Sequence, residues 1–311
     1  MPVLPEHCRL SEREHLYRYQ LIVADLFASG EPSVHPRVVV LGGQPGSGKT
    51  KMRELAEEAP PSVTINADDF RDYHPMYEKL KLSEPERASF LVNEDVSLWT
   101  QKLIRQAVEE KRHIVFDGTF GTSDQNLLKE TLAMFKEAGY ESQLWVLAVP
   151  AEFSKLGIYL RHEIQIAQTG SGRFVSMKVH DLNYRNIPAN IDMAVQNSLL
   201  DQVCIFSRSV KLFDNKFVNN RINHVRTLSK TDADFSKAAE LFLQLRDEPL
   251  SAVLEKYFSF RMNEVAAMMD SRINRALKTN DMAKVNLMTK HKDQFLKDLS
   301  VNRNKNHEIT Y

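Results

Sequence analysis

The sequence contains only two cysteines, Cys8 and Cys204, in a chain of 311 residues. Two cysteines are too few for a disulfide framework, and cysteines so far apart lack the paired spacing of a zinc site. We therefore expect both side chains to be ordinary reduced thiols.

A long apolar run and an excess of charge of either sign are also missing. No run approaches the roughly 18 apolar residues of a membrane-spanning helix, and the N-terminal residues include Pro, Glu, His and Arg where a secretory signal needs an apolar core. The 41 Lys and Arg residues equal the 41 Asp and Glu residues in number, so no global field attracts nucleic acid or an anionic membrane. We expect a cytoplasmic protein, or one exported by a route that the sequence does not reveal, with neither nucleic acid nor membrane as a partner.

The chain has no internal repeat and no linker rich in Pro, Gly or Ser that would separate two folded domains. Strands alternate with helices between about residues 38 and 213, which indicates parallel strands joined by crossover helices. We predict an α/β fold with one open, mostly parallel sheet flanked by helices. The expected division is 1–35 for an N-terminal helical extension, 36–230 for the core and 231–311 for a C-terminal helical extension packed on the core.

Hydrophobic periodicity places the individual elements, and Ser11 with Glu14 matches a capping box at the start of the first helix. The predicted strands are residues 38–41, 62–66, 113–117, 142–149 and 203–206, the last paired with 210–213 as a hairpin. The predicted helices are residues 11–28, 49–58, 86–110 and 124–138, helices between 151 and 200 with a break at 169–173, and the charged region after 232.

Residues 43–50, the phosphate loop, read GQPGSGKT and satisfy G-x-x-x-x-G-K-[ST] between a β-branched run and a helical run. Glycine takes positive φ without steric cost, so such a loop can turn its N–H groups toward phosphate oxygens. Lys49 would bridge the β- and γ-phosphates, and Thr50 would offer a hydroxyl to Mg²⁺. The alternative is a glycine-rich turn with an incidental Lys-Thr. The predicted ligands of ATP or GTP with magnesium are Gly43, Gln44, Pro45, Gly46, Ser47, Gly48, Lys49 and Thr50.

Acidic residues follow the second and third predicted strands. Asp68 and Asp69 lie at the edge where α/β sheets bind ligands, and one of them suits a general base for an attacking hydroxyl. The alternative is that both are solvated acids that cap the next helix. Asp117 ends an apolar strand, as a magnesium-supporting carboxylate does. The alternative is an Asp-Gly turn that ends the strand.

The wider sequence narrows the class of nucleotide-binding protein. A GTPase would carry an Asn-Lys-x-Asp segment for base specificity, and none is present. A motor protein is disfavoured because the chain has neither repeats nor a recognisable partner module. These observations favour transfer of a γ-phosphoryl group to a small molecule.

Five segments in this order resemble the zeta toxin family, bacterial kinases of toxin–antitoxin systems with a phosphate-loop kinase fold. The segments are GQPGSGKT, NADDFRDYHPMY, FDGTF, WVLAVPAEFSKLGIYLRHE and GRFVSMKVHDLNYRNIPANI. The resemblance covers about residues 36–213. It implies ATP- or GTP-dependent phosphorylation of the 3′-hydroxyl of UDP-N-acetylglucosamine, and a neutralising antitoxin as a possible partner.

The resemblance also assigns catalytic roles. The family's general base falls on Asp68 and not on Asp69, and its phosphate-loop lysine falls on Lys49. Two arginines that brace the transferring phosphoryl group match Arg161 and Arg173. Because Arg173 follows a flexible Gly-Ser-Gly, a closing segment could deliver it.

The acceptor side departs from the family pattern. The strand-end acid and its following threonine match Asp117 and Thr119, but Gly121 replaces an arginine and Gln101 a glutamate. Losing a guanidinium contact would weaken acceptor binding by about 2 kcal/mol or more. The sequence therefore predicts a kinase whose acceptor is UDP-N-acetylglucosamine or a related nucleotide-type metabolite. Further candidate acceptor contacts are Asn126 and Thr131.

Two alternatives remain open at this stage. His74, His162 and His180 could be catalytic because histidine titrates near neutrality, but we interpret them as structural or supporting residues. The chain as a whole could be a non-catalytic nucleotide-binding module derived from a kinase fold, in which the terminal helices bind a protein partner.

Overall fold

The computed structural model describes residues 8–28, 30–58, 60–84, 87–213 and 216–300. Residues 1–7 and 301–311, which belong to the predicted terminal extensions, lie outside that set. Among the described residues, no helix is both long and apolar enough to cross a membrane.

Six strands of the described chain form one sheet in the order β2-β3-β1-β4-β5-β6. Neighbouring strands are parallel except for the last pair, in which β6 runs antiparallel to β5. The prediction of an open, mostly parallel α/β sheet is therefore confirmed. The strands are β1 Arg37–Gly42, β2 Val63–Ile65, β3 Ile114–Asp117, β4 Glu141–Ala148, β5 Gln202–Phe213 and β6 Lys216–Ser229.

Helices occupy both sides of this sheet, as a doubly wound fold requires. Those that begin before β4 are α1 Glu12–Leu26, α2 Thr50–Glu57, α3 Ala67–Phe70, α4 Tyr77–Ser83, α5 Ala88–Leu91, α6 Asn93–Glu109 and α7 Gln125–Glu137. Those that follow β4 are α8 Ala151–Thr169, α9 Met177–Gln196, α10 Ala238–Arg246, α11 Ala252–Lys278 and α12 Met282–Ser300.

The central strand β1 is apolar on both faces, so it reads as a continuous run and does not alternate. Val38 and Val40 join the core cluster beneath α1, α6, α7, α9 and α10. Val39 and Leu41 join the cluster on the opposite face, beneath α2, α8, α11 and α12. The strand is therefore sealed on both faces, and the phosphate loop follows its buried carboxyl end.

The predicted hairpin within residues 203–213 is wrong. These residues form the single long strand β5, and its partner is β6, which the sequence did not predict. Five consecutive residues of β6, 223–227, are exposed. An exposed edge strand needs few apolar residues because its backbone pairs with the neighbouring strand, so hydrophobic periodicity does not reveal it.

The predicted long helix over residues 86–110 is divided in the structure. The short helix α5 ends at Leu91, Val92 leaves the helical hydrogen-bond pattern, and α6 begins at Asn93. The preceding helix α4 was not predicted either. The predicted helices 11–28, 49–58 and 124–138 lie within two residues of the observed bounds, and Ser11 and Asp124 cap α1 and α7 because their side chains accept N–H groups of the first turn. The break predicted at 169–173 is longer in the structure, since α8 ends at Thr169 and α9 begins at Met177.

Candidate active site

The phosphate loop connects the buried end of β1 to the start of α2. Gly43, Gly46 and Gly48 have φ values of +148°, +79° and +96°, a region that favours glycine. The Gly43 N–H donates to the carbonyl oxygen of Thr119 over 2.9 Å, which joins the loop to the segment after β3. Only glycines hold this backbone without strain.

The loop rests directly on the backbone of α8. A Cβ built on Gly157 would overlap the carbonyl oxygen of Gly46, and a Cβ on Gly46 would overlap the carbonyl oxygen of Ser154. Gly157 belongs to the segment GIYLRHE that carries part of the family resemblance. Its lack of a side chain therefore sets the position of a loop more than 100 residues earlier.

We expect Gly157→Ala to impair nucleotide binding severely, by about tenfold or more, because the new methyl group displaces the Gly46 peptide. Calorimetric titration with ATP and magnesium would measure the loss. Gly118→Ala is a matched control, since a Cβ there meets nothing within 4 Å. Equal affinities for the two variants would contradict the assigned contact.

A chain of buried polar groups supports the loop from below. Gln44 Nε2 donates to the Val149 carbonyl oxygen over 2.7 Å and to Ser154 Oγ over 3.0 Å. His180 continues the chain, with Nε2 2.8 Å from Ser154 Oγ and Nδ1 2.8 Å from Asp181 Oδ1. His180 therefore supports the loop from within and does not face the site, and His74 is likewise buried, with Nε2 3.0 Å from the Cys8 carbonyl oxygen.

The Lys49 ammonium group folds back over the loop, where it donates to the Gly43 carbonyl oxygen over 2.8 Å. Burial lowers the pKa of Lys49, Asp117 and Asp68 raise it, and Arg161 and Arg173 lower it further. The lysine thus lies in one electrostatic cluster with two carboxylates and two guanidinium groups.

Asp68 lies in the first turn of α3, which Asn66 caps by accepting the Asp68 N–H over 2.9 Å. Its carboxylate accepts a hydrogen bond from Arg173 Nη1 and forms an ion pair with Arg71 Nη1. Burial raises the pKa of Asp68, but Arg173, Arg71 and Lys49 together hold it below its ordinary value. Asp68 is therefore ionised at neutral pH.

Asp69 points elsewhere, although it is the next residue. Its Oδ2 lies 2.9 Å from Arg53 Nη1, and its side chain is 56% exposed. Burial raises the pKa of Asp69 despite the opposing charge of Arg53. The two adjacent acids thus have different partners, and Asp68 is the one that faces Arg173.

Asp117 joins the same group from the end of β3, with a side chain only 10% exposed. Its Oδ2 accepts a hydrogen bond from Asn66 Nδ2 over 3.0 Å and lies 3.6 Å from Arg53 Nη1. Burial raises the pKa of Asp117, whereas Lys49 and Arg53 oppose the increase. Thr50, the other predicted magnesium ligand, is exposed at the first residue of α2.

Two side-chain nitrogens of Arg161, Nε and Nη2, are buried and have no hydrogen-bond partner in the part of the chain that the structure describes. Burial lowers the pKa of Arg161, Arg173 lowers it further, and Asp68 opposes them. A buried donor without an acceptor costs free energy. The arginine is thus suited to an anion held between it and the loop.

Sequence reasoning missed three residues of this cluster: Arg53, Asn66 and Arg71. Asn66 and Arg71 lie in the quoted segment NADDFRDYHPMY, but the motif identifies only the acids. It does not indicate that Asn66 caps their helix or that Arg71 pairs with Asp68. Arg71 was recognisable as the i+3 partner of Asp68 on one helical face. Arg53 could not be found in this way, since the two acids that it meets in the cluster, Asp69 and Asp117, belong to other elements.

As far as the described residues show, no hydrogen bond or ion pair joins the predicted acceptor-binding residues Thr119, Asn126 and Thr131 to the cluster around Asp68. Thr131 Oγ1 donates to the Leu127 carbonyl oxygen of its own helix over 2.8 Å, and Asn126 is exposed. Thr119 Oγ1 accepts the Gly121 N–H over 3.3 Å. The acceptor roles of all three side chains stay predictions.

Gly121, where the family resemblance places an arginine, is enclosed by α9. A Cβ at this position would lie 2.6 Å from the carbonyl oxygen of Asn183, and the Gly121 carbonyl oxygen accepts a hydrogen bond from Asn186 Nδ2 over 3.3 Å. The loss of the arginine is therefore part of the packing, since the present position of α9 leaves no room for any side chain. Gln101, the other departure, is exposed on α6.

Aromatic packing around Phe174 holds the segment that carries Arg173. The Phe174 ring lies 5.2 Å from Tyr159, 5.3 Å from His162 and 5.1 Å from His291, measured between ring centroids. Burial, with His291 nearby, lowers the pKa of His162 to about 4. His162 is therefore neutral at neutral pH and acts as a packing residue, and α12 reaches the Arg173 segment through His291.

His162 and His291 also form a possible metal-binding group with Glu163. Their ligand atoms all lie within 4.8 Å of one another, which sequence spacing could not reveal because His291 belongs to a distant helix. However, Arg272 Nη2 lies 3.1 Å from Glu163 Oε1. The buried carboxylate therefore already has a cationic partner.

Comparison with known proteins shows the same relationship that the motifs indicated. The family model of the zeta toxin matches residues 24–217. The curated proteins named toxin zeta from Enterococcus hirae and from Streptococcus pyogenes are each 31% identical over 185 residues, or 58% of this chain. The matched part spans 64% and 63% of those two relatives.

Two further relatives come from Streptococcus pneumoniae. The protein named toxin PezT is 24% identical over 229 residues, which are 72% of this chain and 89% of that protein. A solved structure from a study of the PezAT chromosomal toxin–antitoxin system superposes with a TM-score of 0.67 at 20% identity, covering 83% of this chain and 97% of the other. That likeness shows a shared fold, and because the family model matches more than half of the sequence, the chain belongs to the zeta toxin family.

Proposed function

We propose that the protein is a kinase that transfers the γ-phosphoryl group of ATP or GTP to a hydroxyl group of a small nucleotide-type metabolite, and that it acts as a toxin. The observation that carries this proposal is the Asp68 carboxylate, kept ionised by Arg173 and Arg71 in the same electrostatic cluster as Lys49. A base among cations is what phosphoryl transfer to an alcohol requires.

The donor set fits a nucleoside triphosphate. The buried Nε and Nη2 atoms of Arg161 and the buried Ser47 hydroxyl have no hydrogen-bond partner within the described residues, and phosphate oxygens would satisfy them. Thr50 and Asp117 would hold Mg²⁺, which neutralises phosphate charge when bound. Hard oxygen donors are the ligands that this ion prefers.

The chemistry that these residues would perform is a direct displacement. The acceptor oxygen forms a bond to the γ-phosphorus while the bond from that phosphorus to the β–γ bridging oxygen breaks. Asp68 accepts the hydroxyl proton, and the nucleoside diphosphate leaves. Lys49, Arg161 and Arg173 stabilise the charge that spreads over the equatorial oxygens.

In this scheme the Arg173 guanidinium has two anionic partners, the Asp68 carboxylate and the phosphoryl group. It hydrogen-bonds Asp68 in the structure, and the phosphoryl group in transfer would compete for the same guanidinium. We expect Arg173 to turn toward the phosphoryl group once both substrates are bound, which frees Asp68 to accept a proton.

This exchange predicts a specific pH dependence. Burial raises the pKa of Asp68 and Arg173 is the largest opposing influence, so losing Arg173 to the phosphoryl group should raise that pKa. The base works when ionised, and activity falls as pH drops through its pKa. The acid limb of kcat should therefore lie at higher pH than that of kcat/KM, which reports the free enzyme. Coincident limbs in a steady-state pH series would contradict the exchange.

The acceptor is proposed to be UDP-N-acetylglucosamine or a related metabolite. The enclosed position of Gly121 supports a related acceptor in particular, because no guanidinium can occupy that place without moving α9. The relatives named as toxins, one of them studied within a toxin–antitoxin system, support a neutralising protein as a further partner.

The proposed function is tested by incubating purified protein, ATP or GTP, and magnesium with a cell extract, followed by mass spectrometry of the metabolites. The expected result is one metabolite class that gains a phosphate, and UDP-N-acetylglucosamine is tested alone in parallel. If no metabolite gains a phosphate and neither nucleotide is consumed, the non-catalytic module is the correct interpretation.

A further inference from the structure

A small cleft lies at the carboxyl edge of the sheet, beside the phosphate loop, and none of the roles described above uses it. Its volume is about 120 Å³. Ligand pockets for drug-sized molecules run to roughly 300–1,000 Å³, so this cleft suits one planar ring system. The residues that form its walls include Pro150, Phe153, Arg208, Pro249, Leu250 and Leu254.

One wall of the cleft is formed where the C-terminal part of the chain crosses from one face of the sheet to the other. Phe242 of α10 belongs to the core cluster on one face, and Phe258 of α11 belongs to the cluster on the other. The connection between α10 and α11 supplies Glu248, Pro249 and Leu250 to the cleft, which Ala148 of β4 and its β5 partner Ser207 also line. Ala148 is the carboxyl end of β4, and the parallel pairing of β4 with β5 ends at this pair. The cleft therefore lies at the edge where α/β folds bind ligands.

Arg208 links this cleft to the phosphate loop. Its side chain lines the cleft, and its Cζ lies 3.3 Å from the position that a Cβ on Gly48 would occupy. A molecule whose phosphates lie on the loop therefore has the cleft next to it, with one guanidinium at the junction.

The chemistry of the walls matches a nucleobase. Phe153, Leu250, Leu254 and Pro249 present apolar surface, against which a flat aromatic ring packs favourably. Glu248 also lines the cleft, and its carboxylate can accept hydrogen bonds from the amino or N–H edge of a purine. Both features are absent from a site for inorganic phosphate alone.

We propose that this cleft receives the purine base of the nucleotide whose phosphates bind residues 43–50, with Arg208 on its α-phosphate. The inference rests on the proposed function and deepens it. The wall from Glu248 to Leu254 lies beyond residues 24–217, the part that the family model matches. The C-terminal helical region thereby becomes part of nucleotide recognition in this chain.

The test compares ligands with and without a base. Leu250→Trp fills the cleft and should weaken ATP and GTP binding by about tenfold or more, while the affinity for inorganic tripolyphosphate with magnesium stays within about twofold. Leu250→Ala, which removes packing surface without filling space, should shift the same ratio less but in the same direction. Leu287→Trp is the matched control, since Leu287 is 67% exposed on α12.

Each outcome of the calorimetric titrations has a distinct meaning. Unchanged ATP and GTP affinity in both Leu250 variants overturns the base site and leaves the proposed kinase function standing. Equal losses for the nucleotides and tripolyphosphate also overturn it, because the damage then lies at the loop. If the wild-type protein bound none of these ligands, that result would contradict the nucleotide site itself and therefore the proposed function.

Discussion

Replacing Asp68 with asparagine is expected to abolish phosphoryl transfer, with a loss of about 10²–10⁴-fold in kcat. The amide keeps the shape of the side chain but cannot accept the hydroxyl proton. Nucleotide affinity should stay nearly unchanged, because the loop and its cations do not depend on that proton. Single-turnover transfer and equilibrium titration with ATP separate the two effects.

Asp69→Asn is the natural control for this experiment. It makes the same chemical change one residue away, in a carboxylate that pairs with Arg53 and not with Arg173. The control should keep most of the activity. Wild-type turnover in Asp68→Asn, or a greater loss in Asp69→Asn, would show that Asp68 is not the base.

Lys49→Ala should lose both nucleotide binding and transfer. The ammonium group lies over the loop and donates a hydrogen bond to the Gly43 carbonyl oxygen. It would contact the phosphates both in the bound nucleotide and in the transition state. Losing a charged contact of this kind costs about 2 kcal/mol or more in affinity, which is roughly 30-fold. The transfer rate should fall as well, because charge on the phosphoryl oxygens increases during the reaction.

Lys51→Ala serves as the comparison, since Lys51 is an exposed lysine in the first turn of α2 that pairs with Glu54. Titration of both variants with ATP and with GTP would show whether the effect belongs to the loop lysine. A Lys49→Ala protein that binds nucleotide as tightly as the Lys51→Ala protein would contradict the assignment.

The C-terminal helices contact the segment that carries Arg173. Phe295 of α12 packs edge-on against Tyr159 of α8 at 4.9 Å, and Tyr159 Oη donates to Asp298 Oδ2 over 2.6 Å. The same Tyr159 contacts Phe174, the residue after Arg173. Helices outside the region matched by the family model therefore restrain the segment that carries a proposed catalytic arginine.

Much of the fold was predictable because its signals are local. The run Val38 to Leu41 followed by a glycine-rich loop predicts a buried strand and a tight turn, since both depend on the residues themselves. The edge strand β6 was not predictable in this way. Its backbone pairing with β5 supplies the stabilisation, and its residues 223–227 are exposed.

The candidate site divides along the same line. The sequence alone determined the phosphate loop, the acids at two strand ends and the order of motifs that places the chain in its family, because short-range backbone and side-chain requirements leave a readable pattern. Only the tertiary structure decided which of two adjacent acids meets Arg173, why Gly46 and Gly157 must both lack side chains, and how residues 248–250 come to line one cleft with Arg208, which borders the loop. Those facts depend on distances between segments far apart in sequence, and such distances follow from packing of the whole chain.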